Sequence, residues 1–322
     1  MEWAIGVDLG GTKMQFAAID RQGRIGHRHR VPTNAKAGPQ QVMDRMLEGI
    51  GRMMAAVGPG ESVVGIGIGS AGQIDWRNGE VVYAGDTLPG WTGTPIRRLA
   101  EERFGKRTHV DNDVNAAAVA EKLYGAGREC DSFVCLTLGT GIGGAVFEGG
   151  RLVRGAYGGA GELGHVPVDF NGPRCGCGNN GCIELYASGP GIARLGLEAL
   201  EAADARDRPA WEPTAGDIVR AWLAGDAAAA RVMDTALRAL GAAVAGYIHA
   251  FNPQAVVIGG GVPEAAGPAF LEALNREVRS RTTPGMSGAC RIRAASLGAD
   301  AGVVGAGALV WDCGESRQEH WR

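Results

Sequence analysis

Three short runs near the start of the chain, residues 3–7, 14–20 and 24–31, are apolar or alternate apolar with polar, and glycine-containing turns separate them. Such runs predict β-strands, and turns this short predict an antiparallel meander. The period then lengthens. Between residues 39 and 56, Val42, Met46, Leu47, Ile50 and Met53 fall on one helical face, and Gly58-Pro59-Gly60 leads to an apolar run at 63–68 read as a buried strand. A short helix over 95–104 with Pro95 in its first turn, a strand over 108–110 and a helix over 114–124 stopped by Gly125 complete a passage from meander to α/β alternation.

After Gly127 the same order begins again: an apolar run at 133–138, a glycine turn, a second run at 144–147, the Gly149-Gly150 turn and a third strand near 152–154. The spacing of elements carries this repeat, which predicts two halves of one topology. Residues 155–191 are glycine-rich and read as irregular. Beyond them Thr214, with Asp217 three residues on, marks a helix start. Asp226 opens a long helix with Met233, Leu237, Leu240, Val244 and Ile248 at helical spacing, ending before Pro253. A buried strand at 255–258 runs into Gly259-Gly260-Gly261, and open α/β sheets bind ligands at the C-terminal ends of such strands.

At 322 residues, with 45% hydrophobic and 21% charged positions, the chain is long enough for two domains and has the composition of an ordinary globular protein. A formal net charge of −3, scattered along the chain, gives no footprint for nucleic acid or an anionic membrane, so neither is expected as a partner. Glu2 and Asp8 lie where a signal peptide would be basic and apolar. The uncharged stretch 239–262 is broken by His249 and Asn252-Pro253-Gln254, and reads as a buried helix and strand rather than a membrane span. Seven cysteines, an odd number without a signal peptide, point to a reducing cytoplasm. Cys175, Cys177 and Cys182 cluster, whereas Cys130, Cys135, Cys290 and Cys313 are dispersed.

Three constellations carry candidate chemistry. Asp8-Leu9-Gly10-Gly11-Thr12-Lys13 and Gly139-Thr140-Gly141-Ile142-Gly143-Gly144 are glycine turns between strands, where bare amides and a threonine hydroxyl suit phosphate oxygens and Asp8 suits Mg²⁺ through water. Singly, each is equally a plain hairpin; together they predict two loops on one nucleotide. Neither opens the helix that a Walker A or dinucleotide-binding turn requires. Asp113, at a strand-to-helix junction, admits two readings: an N-cap, and a general base ionised at neutral pH. His165, Cys175, Cys177 and Cys182 form the closed ligand set of structural zinc, and Cys-x-Cys is too short a loop for an unstrained disulfide. Reduced structural cysteines are the alternative to metal; Glu162 and Glu184, which flank the cluster, read either as surface charges or, on a metal-pinned loop, as a polyol clamp.

With these residues in view, the chain resembles the ROK family of sugar kinases and repressors, and within it the bacterial glucokinases. The resemblance rests on Asp8-Leu-Gly-Gly-Thr-Lys13, Leu88-Pro-Gly-Trp91, Asn112-Asp113-Val-Asn115, Leu136-Thr-Leu-Gly-Thr-Gly-Ile-Gly-Gly144, Gly161-Glu-Leu-Gly-His165, Cys175-Gly-Cys-Gly-Asn-Asn-Gly-Cys182-Ile-Glu184 and Gly259-Gly-Gly-Val262. It implies the two-domain α/β fold of actin-like ATPases and sugar kinases (ribonuclease H-like), closing on a cleft. Residues 1–113 plus 303–322 would form the smaller domain and 114–302 the larger one with the zinc loop, a C-terminal helix near 299–309 returning to the first domain.

The resemblance also implies roles. Asp113 matches the catalytic base, and Asn112, Asp113, Glu162, His165 and Glu184 match sugar ligands, His165 giving one ring nitrogen to zinc. Asp8, Gly10, Gly11, Thr12, Lys13, Gly139, Thr140 and Gly141 fall at the phosphates and Mg²⁺ of ATP, and Gly259, Gly260 and Gly261 at its adenosine. The implied reaction is ATP-dependent phosphorylation of glucose at its 6-hydroxyl by a cytoplasmic homodimer or homotetramer. Another hexose or N-acetylhexosamine (mannose, fructose, N-acetylmannosamine, N-acetylglucosamine) is the alternative. Thr87 in place of Asn, and Ser70-Ala71-Gly72 in place of a proline-containing turn, bear on the sugar; Asp111 in place of Glu is a minor departure. A repressor of this family needs a helix-turn-helix ahead of the first strand, which begins within a few residues of Met1, so that reading is disfavoured. The 139–144 hairpin is expected to act on the nucleotide and to be largely silent about the sugar.

Overall fold

The computed structural model describes residues 1–204 and 209–311; Cys313 and the rest of the expected domain segment beyond 311 lie outside the described residues. Contacts divide the chain into two units. One comprises Met1–Arg128, Arg154–Ala160 and the chain from Ala299 onward, the other Glu129–Val153 and Gly161–Gly298.

The first unit contains β1 (Glu2–Leu9), β2 (Lys13–Ile19), β3 (Ile25–Pro32), α1 (Pro39–Ala56), β4 (Ser62–Ser70), the hairpin β5 (Gln73–Asp75) and β6 (Glu80–Tyr83), α2 (Ile96–Phe104), β7 (Thr108–Asn112) and α3 (Asp113–Tyr124). Its sheet runs β3-β2-β1-β4-β7, antiparallel across the meander and parallel from β1 through β4 to β7. β1 is buried along almost its whole length, as a central strand covered on both faces must be. β3, at the edge, alternates half-buried and exposed residues, and its exposed Arg28 and Arg30 suit an edge that must not pair further. Val42, Met46, Ile50 and Met53 of α1 are buried as their spacing predicts, and Leu47 is partly so.

The second unit contains β8 (Phe133–Leu138), β9 (Ile142–Glu148), β10 (Arg151–Leu152), α4 (Glu184–Ala187), α5 (Gly189–Ala202), α6 (Ala215–Leu223), α7 (Ala227–Phe251), β11 (Ala255–Gly259), α8 (Gly261–Ala266), α9 (Pro268–Arg279), α10 (Pro284–Ala289) and β12 (Arg291–Ala294). Its sheet runs β10-β9-β8-β11-β12, the same order of meander and parallel strands as in the first unit. The repeat read from spacing is therefore a repeat of topology. Asp226 caps α7 by accepting from Ala229 N at 2.8 Å, and Asn252, with φ 45°, ends it. Met233, Leu237, Leu240, Val244 and Ile248 are all buried in the core of this unit. Among the described residues no helix is long and apolar enough to cross a membrane; the uncharged stretch divides into the end of α7 and β11.

The last helix, α11 (Ala301–Ala308), returns to the first unit. A Cβ at Gly67 of β4 would lie 1.7 Å from Ala306 O, and one at Gly305 would lie 1.8 Å from Ala116 O. α11 is thus seated backbone against backbone on the sheet and on α3. These contacts tie α3 to the first unit, which by its contacts continues to Arg128.

Burial, with the nearby Arg107 and Arg97 guanidinium groups, pushes His109 of β7 down to about 4 from 6.5. Between those values the unfolded chain binds more protons, so stability falls as pH drops from about 6.5 toward 4. His109→Gln should flatten the pH dependence of Tm over that window, and an unchanged slope would assign the effect to another group.

Candidate active site

β7 becomes α3 at Asn112 and Asp113. Asn112 is the N-cap: its Oδ1 accepts from Val114 N at 2.8 Å and Asn115 N at 3.1 Å, while its Nδ2 donates to Gly72 O at 3.0 Å. Asp113 is therefore the first helical residue rather than the cap, half-buried, with Oδ1 accepting from Val114 N at 3.0 Å. The positive end of α3 favours its carboxylate as an anion. The Ser70-Ala71-Gly72 turn is part of this arrangement. Gly72 seats Asn112, and Ser70 Oγ accepts from the indole of buried Trp91 at 3.1 Å.

Asp8 stands at the end of β1. Burial pushes its carboxyl up, opposed by the hydrogen bond from Gln15 Nε2, 3.2 Å from Oδ2, and by the charge of Lys13. Behind it, a Cβ at Gly302 would lie 2.8 Å from the carboxylate. In the adjoining turn Gly10 N donates to Lys13 O at 3.1 Å, Thr33 Oγ1 donates to Gly10 O at 2.6 Å, and Thr33 N donates to Thr12 O at 3.0 Å. Thr12 is exposed at the tip, and the methyl of Thr87 packs against Gly11. Gln15, Thr33 and Thr87 thus shape this turn. Gln15 could have been found from sequence through its antiparallel pairing with Asp8, and Thr87 stands out there too, but for the sugar rather than for this turn.

In the second hairpin Gly139 N donates to Gly141 O at 2.9 Å, and Gly139 O accepts from Gly189 N at 2.8 Å. Gly139, Thr140 and Gly261 line one pocket of about 260 Å³, whose walls include Pro190, Gly216, Val219 and Val262. Gly259 is the buried last residue of β11. Gly260 serves packing, since a Cβ there would lie 2.4 Å from Leu138 O at φ 101°.

The rest of this hairpin serves the sugar-ligand candidates. Ile142 N donates to Glu184 Oε2 at 2.9 Å, and a Cβ at Gly141 would lie 2.5 Å from the same oxygen. A Cβ at Gly164 would lie 1.9 Å from Ile142 O, so the turn Leu163–His165 docks directly on β9. Tyr247 of α7, buried with its phenol pushed up by that burial, donates to Leu163 O at 2.6 Å. β9 is therefore the backbone seat of the Glu162–His165 turn and of Glu184. The hairpin expected to act on the nucleotide is thus also in direct contact with Glu184 and the 163–165 turn.

One ligand atom from each of His165, Cys175, Cys177 and Cys182 lies within 4.8 Å of the others. Cys175 Sγ is 3.6 Å from His165 Nδ1, and Cys177 Sγ is 3.6 Å from Cys182 Sγ. Tetrahedral zinc, with bonds of about 2.0–2.3 Å, separates its ligands by roughly 3.3–3.8 Å, so the donor set fits. Burial pushes the Cys182 thiol up to about 12, which a bound cation would reverse. Nδ1 faces the thiols, while Nε2 is 4.0 Å from Glu162 Oε2. The loop is more ordered than its sequence implied: Val168 N donates to Gly181 O, Ile183 N to Val166 O and Cys175 N to Asn179 O, at 2.9, 3.0 and 2.8 Å.

The description of the ROK family matches residues 4–312. The glucokinase of Thermotoga maritima is 38% identical over 311 residues, covering 95% of this chain and 96% of that protein. The ROK hexokinase of Thermus thermophilus superposes with a TM-score of 0.78 at 37% identity, covering 95% and 96% of the two chains. The ROK family glucokinase of Streptomyces griseus, solved in complex with glucose and AMPPNP, gives a TM-score of 0.78 at 32% identity over 95% and 98%.

Gly141→Ala should destabilise the protein by about 1–3 kcal/mol, because the new methyl meets the Glu184 carboxylate. Glu184→Ala in the same chain should relieve much of that loss. A double-mutant cycle by denaturant melts checks this, and strictly additive effects would show that the two residues do not meet.

Proposed function

The chain belongs to the ROK family, and from that premise we propose that it phosphorylates glucose at the 6-hydroxyl with ATP as donor. The observation that carries the reading is the likeness to a named glucokinase over nearly the whole of both chains. Asp113 accepts the proton of the 6-hydroxyl as that oxygen attacks the γ-phosphorus; the bond to the β,γ-bridging oxygen breaks and ADP leaves. Asn112, with one amide hydrogen not engaged by Gly72, joins Glu162, His165 and Glu184 in holding the other hydroxyls. This division of His165 is supported by its geometry, with Nδ1 toward the thiols and Nε2 toward Glu162.

The pocket beside Gly139, Thr140 and Gly261 takes the adenine end of the nucleotide, its small apolar walls suiting a flat base. The Gly11 and Thr12 amides and the Thr12 hydroxyl hold phosphate oxygens, the Gly10 amide being engaged by Lys13. Mg²⁺, bound with ATP, neutralises charge on the phosphate oxygens, and Asp8 is the residue that would hold it. Zinc held by His165, Cys175, Cys177 and Cys182 supports the turn without entering the reaction.

A coupled assay across glucose, mannose, fructose, N-acetylmannosamine and N-acetylglucosamine should give the highest kcat/KM on glucose. Asp113→Asn should lose about 10²–10⁴ in kcat with sugar binding kept. Preference for an N-acetylhexosamine would move the substrate assignment, and normal turnover in the variant would remove Asp113 from its role. The purified protein should also carry one zinc per chain, and its removal by chelator should lower Tm and raise KM for the sugar more than for ATP. A zinc-free protein whose Tm and kinetics ignore the chelator would overturn the metal assignment.

A further inference from the structure

Arg154 leaves the second unit at the end of the β8–β10 meander and belongs by its contacts to the first. There its Nε donates to Asp111 Oδ2 at 2.8 Å, with the Asp111 side chain only 3% exposed and that of Arg154 20%. The guanidinium lies over the Trp76 ring, 4.7 Å from its centroid. Arg97 fixes Trp76 in turn, donating through Nη2 to its carbonyl at 2.7 Å and through Nε to Thr108 O at 2.9 Å. Arg154 is thus held from one face and aimed at one carboxylate.

That carboxylate organises the junction. Asp111 Oδ1 accepts from Asn112 N at 2.8 Å and from Asn115 Nδ2 at 2.8 Å. The first bond fixes the peptide where strand becomes helix; the second ties down the opening turn of α3. Asp113 lies between the two residues so held. A buried carboxylate stays in place only if its charge is matched, and Arg154 matches it.

We propose that Arg154 is a positioning residue for phosphoryl transfer, acting through Asp111 to hold the Asn112–Asp113 backbone so that Asp113 meets the acceptor hydroxyl. This rests on the reading of Asp113 as the base. Arg154→Met should lower kcat by about 10–100-fold, the effect of a small misplacement of a reacting group, with KM for ATP within about twofold of native. Adding Asp111→Asn should recover most of the lost kcat, because the asparagine oxygen still accepts from Asn112 N and needs no cation. Should Arg154→Met fail to fold, Arg154→Lys carries the test: it keeps the charge but not the planar, stacked donor, and should show a smaller fall in kcat, by about 3–10-fold, with KM for ATP intact, whereas native kcat in that variant would overturn the proposal.

Native kcat in the folded variant, a parallel loss of ATP binding, or a double variant no better than the single would overturn the proposal. Asp113→Asn is assayed alongside. If Asp113→Asn turns over normally, the reading of the base fails. If it is inactive while Arg154→Met is native, only the role of Arg154 falls.

Discussion

The first unit depends on α11 lying against its sheet with backbone directly on backbone at β1 and β4. Where the chain carries Gly6 and Gly67, the space of a Cβ is already filled by the Val303 and Ala306 carbonyls. A helix at that separation cannot slide or be cushioned, because close-packed backbone has no rotamers with which to adjust. Several site features inherit their positions from it. Gly302 lets the start of α11 approach the Asp8 carboxylate, and Gly305 locks α11 to α3, the helix that carries Asp113. At the sheet end of the same stack, a Cβ at Gly69 would lie 3.3 Å from the Asp113 Cα. The candidate base and the candidate Mg²⁺ carboxylate are thus placed by one helix that contributes neither of them.

Asp8 and Asp111 sit in contrasting electrostatic surroundings. Asp111 is buried and has its cation within the fold, in Arg154. Asp8 is pushed up by burial; among the described residues the amide of Gln15 hydrogen-bonds it, and Lys13 lowers it through its charge. A buried acid without a cation in contact is a natural seat for one that arrives with a ligand, whereas a paired acid is a structural element. This contrast supports giving Asp8 to the proposed metal–nucleotide complex and Asp111 to the scaffold.

The elements with a clear period were legible. The stripe from Val42 to Met53 and the face from Met233 to Ile248 are buried where spacing predicts, and the repeated meander appears as two sheets of one order. The cysteine–histidine cluster was legible too, because most of its donors lie close together in the chain and ligand chemistry constrains their types. Short elements without a period were not: α8 to α10, β12 and the β5–β6 hairpin gave no signal. The glycines were only half legible. Glycine at 141 reads as a phosphate-facing amide, and the fold adds that its missing side chain makes room for the Glu184 carboxylate, a partner far along the chain. A sequence shows that a glycine is present; only the fold shows what occupies the place of its Cβ. Arg154 was hidden for the same reason, reading as the end of a strand until the fold set it beside Asp111.

The return of α11 also sets an order of assembly on the ribosome. The first unit takes its closing helix from residues made after the whole of the second. As the chain emerges, β1 and β4 offer a groove of bare backbone that nothing yet synthesised can fill. The second unit, apart from the brief 154–160 excursion, is complete in one stretch before that helix exists. N-terminal domains ordinarily mature first during translation. Here the domain begun first is finished last, and a chain released before residue 301 would carry an exposed, unfilled groove in a half-built sheet.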